Sequence, residues 1–158
     1  DRVRHEIPGV QLKVIGFGPE ERALRKLSIE LGLEAHIDCL GPKPQHELIP
    51  YYRRAGLFVA PFVEALDGDQ EGLGLVTIEA AACGCPVLVG DVLAVNGLPV
   101  CKVDVTDMNA FASRLLDMLE SHSNDDCSDL RKMLQDAFDW QNVSKAYARI
   151  LTDMAEAS

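Results

Sequence analysis

The sequence predicts an α/β domain built on a doubly wound parallel sheet, closed by amphipathic helices. Three observations lead there. Short strand-like runs recur at residues 10–16, 35–41, 56–62, 86–90 and 98–105, and stretches of helical period separate most of them. Beyond residue 107 the pattern is helical only. Strands alternating with helices pair in parallel, and ligands of such sheets sit outside the carboxyl ends of the strands.

Each element has its own justification. "VQLKVIG" (10–16) is a β-branched strand, and "FGPEERALRKLSIELGL" after it is a helix with Pro19 in its first turn, Glu20 and Glu21 at its positive end and Gly32 at its close. "AHIDCLG" (35–41) reads as the next strand. "QHELIPYYRRA" is a short helix that Pro50 either interrupts or starts, and "GLFVAPF" (56–62) is a third, buried strand. The loop "VEALDGDQEG" leads to a helix from residue 73 or 74 to Ala82, stopped by Gly84. Pro86 then opens the strand "PVLVG", and "LPVCKVDV" (98–105) is the last one. "DMNAFASRLLDMLESH", "DLRKMLQDAFD" and "WQNVSKAYARILTDMAEA" read as two or three helices packing on the sheet, with Leu115, Leu116, Met118 and Leu119 as a core stripe and Trp140 as the anchor of the last helix.

Composition narrows the function classes. A chain of 158 residues with 47% apolar content makes one domain with a proper core. Its formal charge of −10 opposes nucleic acid and anionic membrane surfaces as partners, so an anionic ligand has to be held by local fields. No apolar run reaches the roughly 20 residues that span a bilayer, and no secretory signal opens the chain; a cytoplasmic domain without direct membrane insertion is expected. Five scattered cysteines (Cys39, Cys83, Cys85, Cys101, Cys127) read as reduced thiols. The pair Cys83–Cys85 lacks the second pair or nearby histidine of a metal site, so no metal is expected.

Three loops follow strands. "GFGPE" supplies Gly16 and Gly18 but carries Glu21 where a dinucleotide fingerprint wants a third glycine, so a tight turn explains it as well as a phosphate contact does. "GPKPQHE" follows the second strand. The third, "VEALDGDQEGLG", places Gly72 and Gly74 before a helix start near Leu75, where unpaired N–H groups and the positive helix end suit a diphosphate. Glu79, just over one turn further, can accept two hydrogen bonds from the adjacent hydroxyls of a ribose, and Glu71 can meet hydroxyls at the other end of the same ligand. A glycine-rich turn flanked by ordinary surface acids is the other reading of this spacing. Asp67 and Asp69 read as a solvated turn.

The stretch "EGLGLVTIEAAACGCPVLVGD" resembles the signature of family 4 glycosyltransferases, retaining enzymes of GT-B architecture. The resemblance extends through "VQLKVIGFGPEERALRKLSIELGL", "IDCLGPKPQHELIPYYRRAGLFVAPF" and "FDWQNVSKAYARIL", from Val10 to about Thr152. "DGDQEG" is similar to bacterial exopolysaccharide transferases, those of colanic-acid type among them. The resemblance implies a donor-nucleotide-binding domain in which Glu79 binds the ribose and Glu71, the catalytic candidate, lies near the donor hexose. It places Gly72 in the turn, the amides of Gly74, Leu75 and Val76 on the donor phosphates, Pro42 and Lys43 beside the nucleobase, and Gly16 in the donor cleft. It implies no metal and no cofactor, a nucleotide diphosphate sugar as substrate, and an N-terminal acceptor-binding domain of the same enzyme as partner.

One departure stands out. The family carries a basic pair on the first strand-helix unit, in a segment like G-R-x-x-x-x-K-G, and nothing here matches it; Arg2 and Arg4 precede Pro8 in the wrong context. Residues 1–158 are therefore expected to be a single donor-binding domain lacking its first strand-helix unit, inactive alone, from an enzyme able to lie at the inner face of the membrane. The missing strand would be central, so the sheet must pair differently, borrow a strand or belong with further residues. Two other functions are weighed: a nucleotide-sugar epimerase of the same architecture, needing a base such as His36 or His46, and a non-catalytic nucleotide-sugar-binding module.

Overall fold

The computed structural model describes residues 2–63, 74–95, 98, 100–121, 132–134, 136 and 138–156. Among the described residues there are five parallel strands: β1 (Leu12–Ile15), β2 (Ile37–Gly41), β3 (Phe58–Ala60), β4 (Val87–Gly90) and β5 (Cys101–Val103). They form two sheets. β1 pairs with β2, and β3, β4 and β5 pair in that order. Of the expected alternatives, the sheet pairs differently: the parallel strands divide into a pair and a triple.

The helices fall close to their predicted places. α1 (Arg2–Glu6) is one turn that sequence periodicity did not reveal; it packs against α5 (Met108–Glu120), and the Arg4 guanidinium donates to the Gly32 carbonyl at 2.7 Å. α2 (Glu21–Glu30) starts later than expected, because Pro19 and Glu20 form a turn in front of it, outside the helix. Pro50 neither interrupts nor starts α3 (Gln45–Arg54): it lies inside the helix, forfeiting one intrahelical hydrogen bond while the turns on both sides continue. α4 (Leu75–Ala82) ends as predicted, with Gly84 at positive φ and its N–H on the Ala81 carbonyl at 2.9 Å.

Burial is uneven across the division. All four residues of β4 are buried, and α4 lays Thr77, Ala80 and Ala81 against the sheet, where small side chains let the helix approach closely. Tyr52, Ala60, Cys85, Val87, Val89, Val95 and Leu134 complete this core. On the other side α2 has no buried residue, and Leu24, Leu27 and Ile29 are exposed. The stripe Leu115, Leu116, Met118 and Leu119, expected in the core, is only half-buried. The last helix, α6 (Trp140–Glu156), departs from expectation: Trp140 is 79% exposed and Tyr147, Ile150, Leu151 and Met154 face outward with it. An amphipathic period specifies an apolar face but not the surface that covers it, and the sheet does not cover this one.

Candidate functional site

The site grows from the carboxyl ends of the strands. After β3 the chain turns at once, with the Phe62 N–H on the Ala60 carbonyl at 2.8 Å, and Gly90 at the end of β4 lies against the Phe62 backbone so closely that a Cβ there would overlap it. The chain re-enters at Gly74 in the left-handed region, φ 57° and ψ 43°, and the Gly74 carbonyl accepts from the Thr77 N–H at 2.8 Å to begin α4. A Cβ on Gly74 would stand 3.4 Å from the Phe62 ring and from Thr77 Oγ1. Leu75 and Val76 are the first two helical residues; their amides precede the first intrahelical donor, and their side chains are exposed. Thr77 Oγ1 is buried without a hydrogen-bond partner among the described residues, and the carbonyl four residues before it belongs to residue 73, which lies outside them.

Glu79, one turn beyond that start, is half-buried and is held by two donors from α3. Gln45 Nε2 donates to Oε1 at 2.6 Å, and the Tyr52 hydroxyl donates to Oε2 at 3.3 Å. Gln45 opens α3 directly after Pro44, and Tyr52 lies seven residues on, so two full turns bring both to one side of the helix. The Tyr52 ring is buried and meets Phe58 of β3 edge-on, centroids 5.6 Å apart. Its phenol is pushed up to about 12, first by burial and then by the Glu79 carboxylate, so the hydroxyl stays a donor over the ordinary pH range.

The predicted residues of the first two loops join this arrangement. The Gly16 N–H donates to the Gly41 carbonyl at 3.0 Å, which sets the turn after β1 beside the end of β2. Pro42 and Lys43 follow Gly41 and run through Pro44 into Gln45, so the segment expected near a nucleobase is continuous with the residue that holds Glu79. Lys43 Nζ lies 3.7 Å from Glu47 and 5.5 Å from the Tyr51 ring centroid, so its charge is met within α3. Glu71 and Gly72, with Asp67 and Asp69, lie outside the described residues. His36 is placed differently from expectation: it precedes β2, at the amino end of that strand, and its Nδ1 lies 3.0 Å from the Val10 carbonyl oxygen. His46 is exposed on α3.

Sequence reasoning missed Gln45 and Tyr52. Their signal was available as two polar-tipped side chains at seven-residue spacing on a helix that begins in a strand-end loop. None of Cys39, Cys83, Cys85 and Cys101 is in a disulfide, and among the described residues no three His, Cys, Asp or Glu side chains gather as a metal ion requires. An open hollow on α6, lined by Asp136, Asn142, Val143, Ala146, Tyr147 and Ile150, shares no residue with this site. No helix among the described residues is long and apolar enough to cross a membrane.

Comparison with known proteins supplies the context. The family model described as "Glycosyl transferases group 1" matches residues 1–136. A GDP-mannose-dependent alpha-(1-6)-phosphatidylinositol monomannoside mannosyltransferase of Mycolicibacterium smegmatis is 28% identical over 163 residues, covering 98% of this chain and 43% of the relative. A putative colanic acid biosynthesis glycosyltransferase, WcaL, of Salmonella typhimurium is 40% identical over 76 residues, 48% of this chain and 19% of that protein. Among solved structures, the sucrose-phosphate synthase of Thermosynechococcus elongatus superposes with a TM-score of 0.76 at 24% identity over 99% of this chain and 41% of its own. Anabaena HepE in complex with UDP gives a TM-score of 0.75 at 19% identity, with coverage of 92% and 42%. The chain spans less than half the length of these relatives, and the fold they share with it is that of GT-B glycosyltransferases.

Proposed function

The chain belongs to the glycosyl transferases of group 1, and from that membership we propose that it is the nucleotide-sugar-binding part of a retaining, metal-independent hexosyltransferase. The observation that carries the reading is the Glu79 carboxylate, held by Gln45 and Tyr52 one helical turn beyond the Gly74 turn, at the carboxyl end of the strands. The donor diphosphate lies on the amides of Gly74, Leu75 and Val76, where fixed dipoles attract it despite the net charge of −10. Glu79 accepts from the ribose hydroxyls, Pro42 and Lys43 flank the base, and Gly16 leaves room in the cleft. Glu71, directly before Gly72 in the chain, is assigned to the hexose. A relative that uses GDP-mannose and a neighbour that holds UDP support a nucleotide donor.

In the complete enzyme, the bond from the sugar to the diphosphate breaks and the helix end stabilises the leaving charge, while an acceptor hydroxyl takes the sugar with retention. The acceptor, a glycan, polysaccharide or lipid-linked sugar, is bound by an N-terminal domain of the same enzyme, working in the cytoplasm. The divided sheet supports the companion proposal that a further parallel strand, with its helix, belongs between β1 and β3. An epimerase would need a base in the cleft, and His36 at the amino end of β2 cannot serve as one.

Titration of the 158-residue chain with UDP and with GDP, followed by amide NMR, tests the site. The amides of Gly74, Leu75 and Val76 are expected to move first, and shifts confined to residues 1–9 or to α6 would overturn it. The purified chain is expected to transfer no sugar, and measurable transfer would sink the proposal that a second domain is required.

A further inference from the structure

A carboxylate that must receive two neighbouring hydroxyls has a geometric requirement beyond its presence: each oxygen has to offer a lone pair toward the ligand at a fixed angle. A glutamate side chain has three rotatable bonds, and left unsupported it samples many orientations. An ionised carboxylate accepts about four hydrogen bonds, two per oxygen. In this chain one position on Oε1 is taken by Gln45 Nε2 at 2.6 Å and one on Oε2 by the Tyr52 hydroxyl at 3.3 Å, so one position on each oxygen is left. Among the described residues no Lys or Arg forms an ion pair with Glu79, so neutral donors, not a salt bridge, fix its orientation.

We infer that Tyr52 and Gln45 are positioning residues: a two-point clamp that turns the Glu79 carboxylate so that its remaining lone pairs meet the two ribose hydroxyls of the donor nucleotide together. The inference rests on the proposed ribose contact of Glu79. The two halves of the clamp differ in rigidity. Tyr52 is 8% exposed and braced edge-on by Phe58, so its hydroxyl is a fixed point, whereas Gln45 is exposed at the head of α3 and closes the grip from the solvent side. Both come from the helix that begins directly after Pro42, Lys43 and Pro44, so the segment proposed to flank the base runs straight into the clamp on the ribose carboxylate. The clamp therefore sets selectivity for a ribose over a deoxyribose and has little part in holding the diphosphate.

Isothermal calorimetry of the 158-residue chain with UDP and GDP, and with their 2′,3′-dideoxy analogues, tests this. The unaltered chain is expected to prefer a ribonucleotide to its dideoxy analogue. Tyr52→Phe keeps the ring and its packing and is expected to lower the ribonucleotide affinity about fivefold, as loss of about 1 kcal/mol of orientation implies, with the dideoxy affinity unchanged. Gln45→Met is expected to act in the same sense, and because Gln45 is exposed it carries the test should Tyr52→Phe fold poorly in a thermal melt. Equal losses for ribo- and dideoxynucleotides would show a structural role and overturn the clamp. Preference intact in both variants would overturn it too, with the ribose contact standing. No preference in the unaltered chain would remove the ribose contact of Glu79 itself, and the clamp with it.

Discussion

The turn that launches α4 rests on two glycines whose replacement by alanine should cost different amounts for different reasons. At Gly90 the obstacle is steric. A Cβ there would overlap the Phe62 carbonyl oxygen and stand 2.9 Å from the Phe62 carbonyl carbon and nitrogen, all of them backbone atoms that cannot rotate away. Phe62 could retreat only by giving up its bond to the Ala60 carbonyl at 2.8 Å. Overpacking of about 1–3 kcal/mol and a lost hydrogen bond of about 1 kcal/mol give a destabilisation of about 2–4 kcal/mol for Gly90→Ala. At Gly74 the obstacle is conformational: the left-handed φ of 57° costs a residue with a Cβ about 1–2 kcal/mol, and the nearest atoms, at 3.4 Å, add little. Urea unfolding with matched slopes measures both, and at ordinary slopes the Gly90 variant should lose about 1–2 M of its midpoint. A smaller loss for Gly90→Ala than for Gly74→Ala would refute the ranking and, with it, the close seating of the β3 turn on β4.

Other outcomes follow from single contacts. Asp107 Oδ1 caps α5 by accepting from the Asn109 and Ala110 amides at 2.9 and 3.0 Å, so Asp107→Ala should cost about 1 kcal/mol in a thermal or urea melt without touching nucleotide binding. Tyr52 titrates near 10.0 when unperturbed and near 12 in the fold, so its contribution is complete below pH 10 and is lost as pH rises toward 12; stability should fall more steeply over that window in the unaltered chain than in Tyr52→Phe. Glu79→Gln must keep its oxygen toward Gln45 and turn its amide toward Tyr52, leaving one acceptor fewer for the diol, and should weaken UDP or GDP and their sugars alike by about 1.5–3 kcal/mol in calorimetry. Glu71→Gln should spare the bare diphosphates and weaken only the sugar-bearing donors.

What the sequence made legible follows the range of the interactions involved. The α4 unit could be read residue by residue because its determinants are local: Gly74 supplies the left-handed start, alanines supply the close-packing face, and Gly84 ends the helix within the same dozen residues. Strand positions were equally local, since short apolar runs punctuated by Gly and Pro fix them. The division into a β1–β2 pair and a β3–β4–β5 sheet was not legible, because strand pairing depends on neighbours that no local pattern specifies, and Pro50 was misread because tertiary packing of α3 through Tyr52 outweighs one missing hydrogen bond. Glu79 could be nominated from its place after a glycine turn, but its two donors arrive from 27 and 34 residues away in the chain.

That separation also bears on the proposal that this acidic domain holds an anionic ligand. A carboxylate near a diphosphate raises its cost by repulsion unless the carboxylate is kept at a distance and its charge is engaged elsewhere. Glu79 sits four residues past the first helical amide, about 6 Å along the axis at 1.5 Å per residue, and its oxygens are turned to Gln45 and Tyr52 on α3. In the proposed site the first-turn amides serve the phosphates and the carboxylate the sugar of the nucleotide. The same residues on a strand would alternate faces, and Gly74 and Glu79 could not serve one ligand from one side. It is the helix, set at the carboxyl end of β3 by Gly90 beneath Phe62, that gives the proposed site two chemically distinct ends.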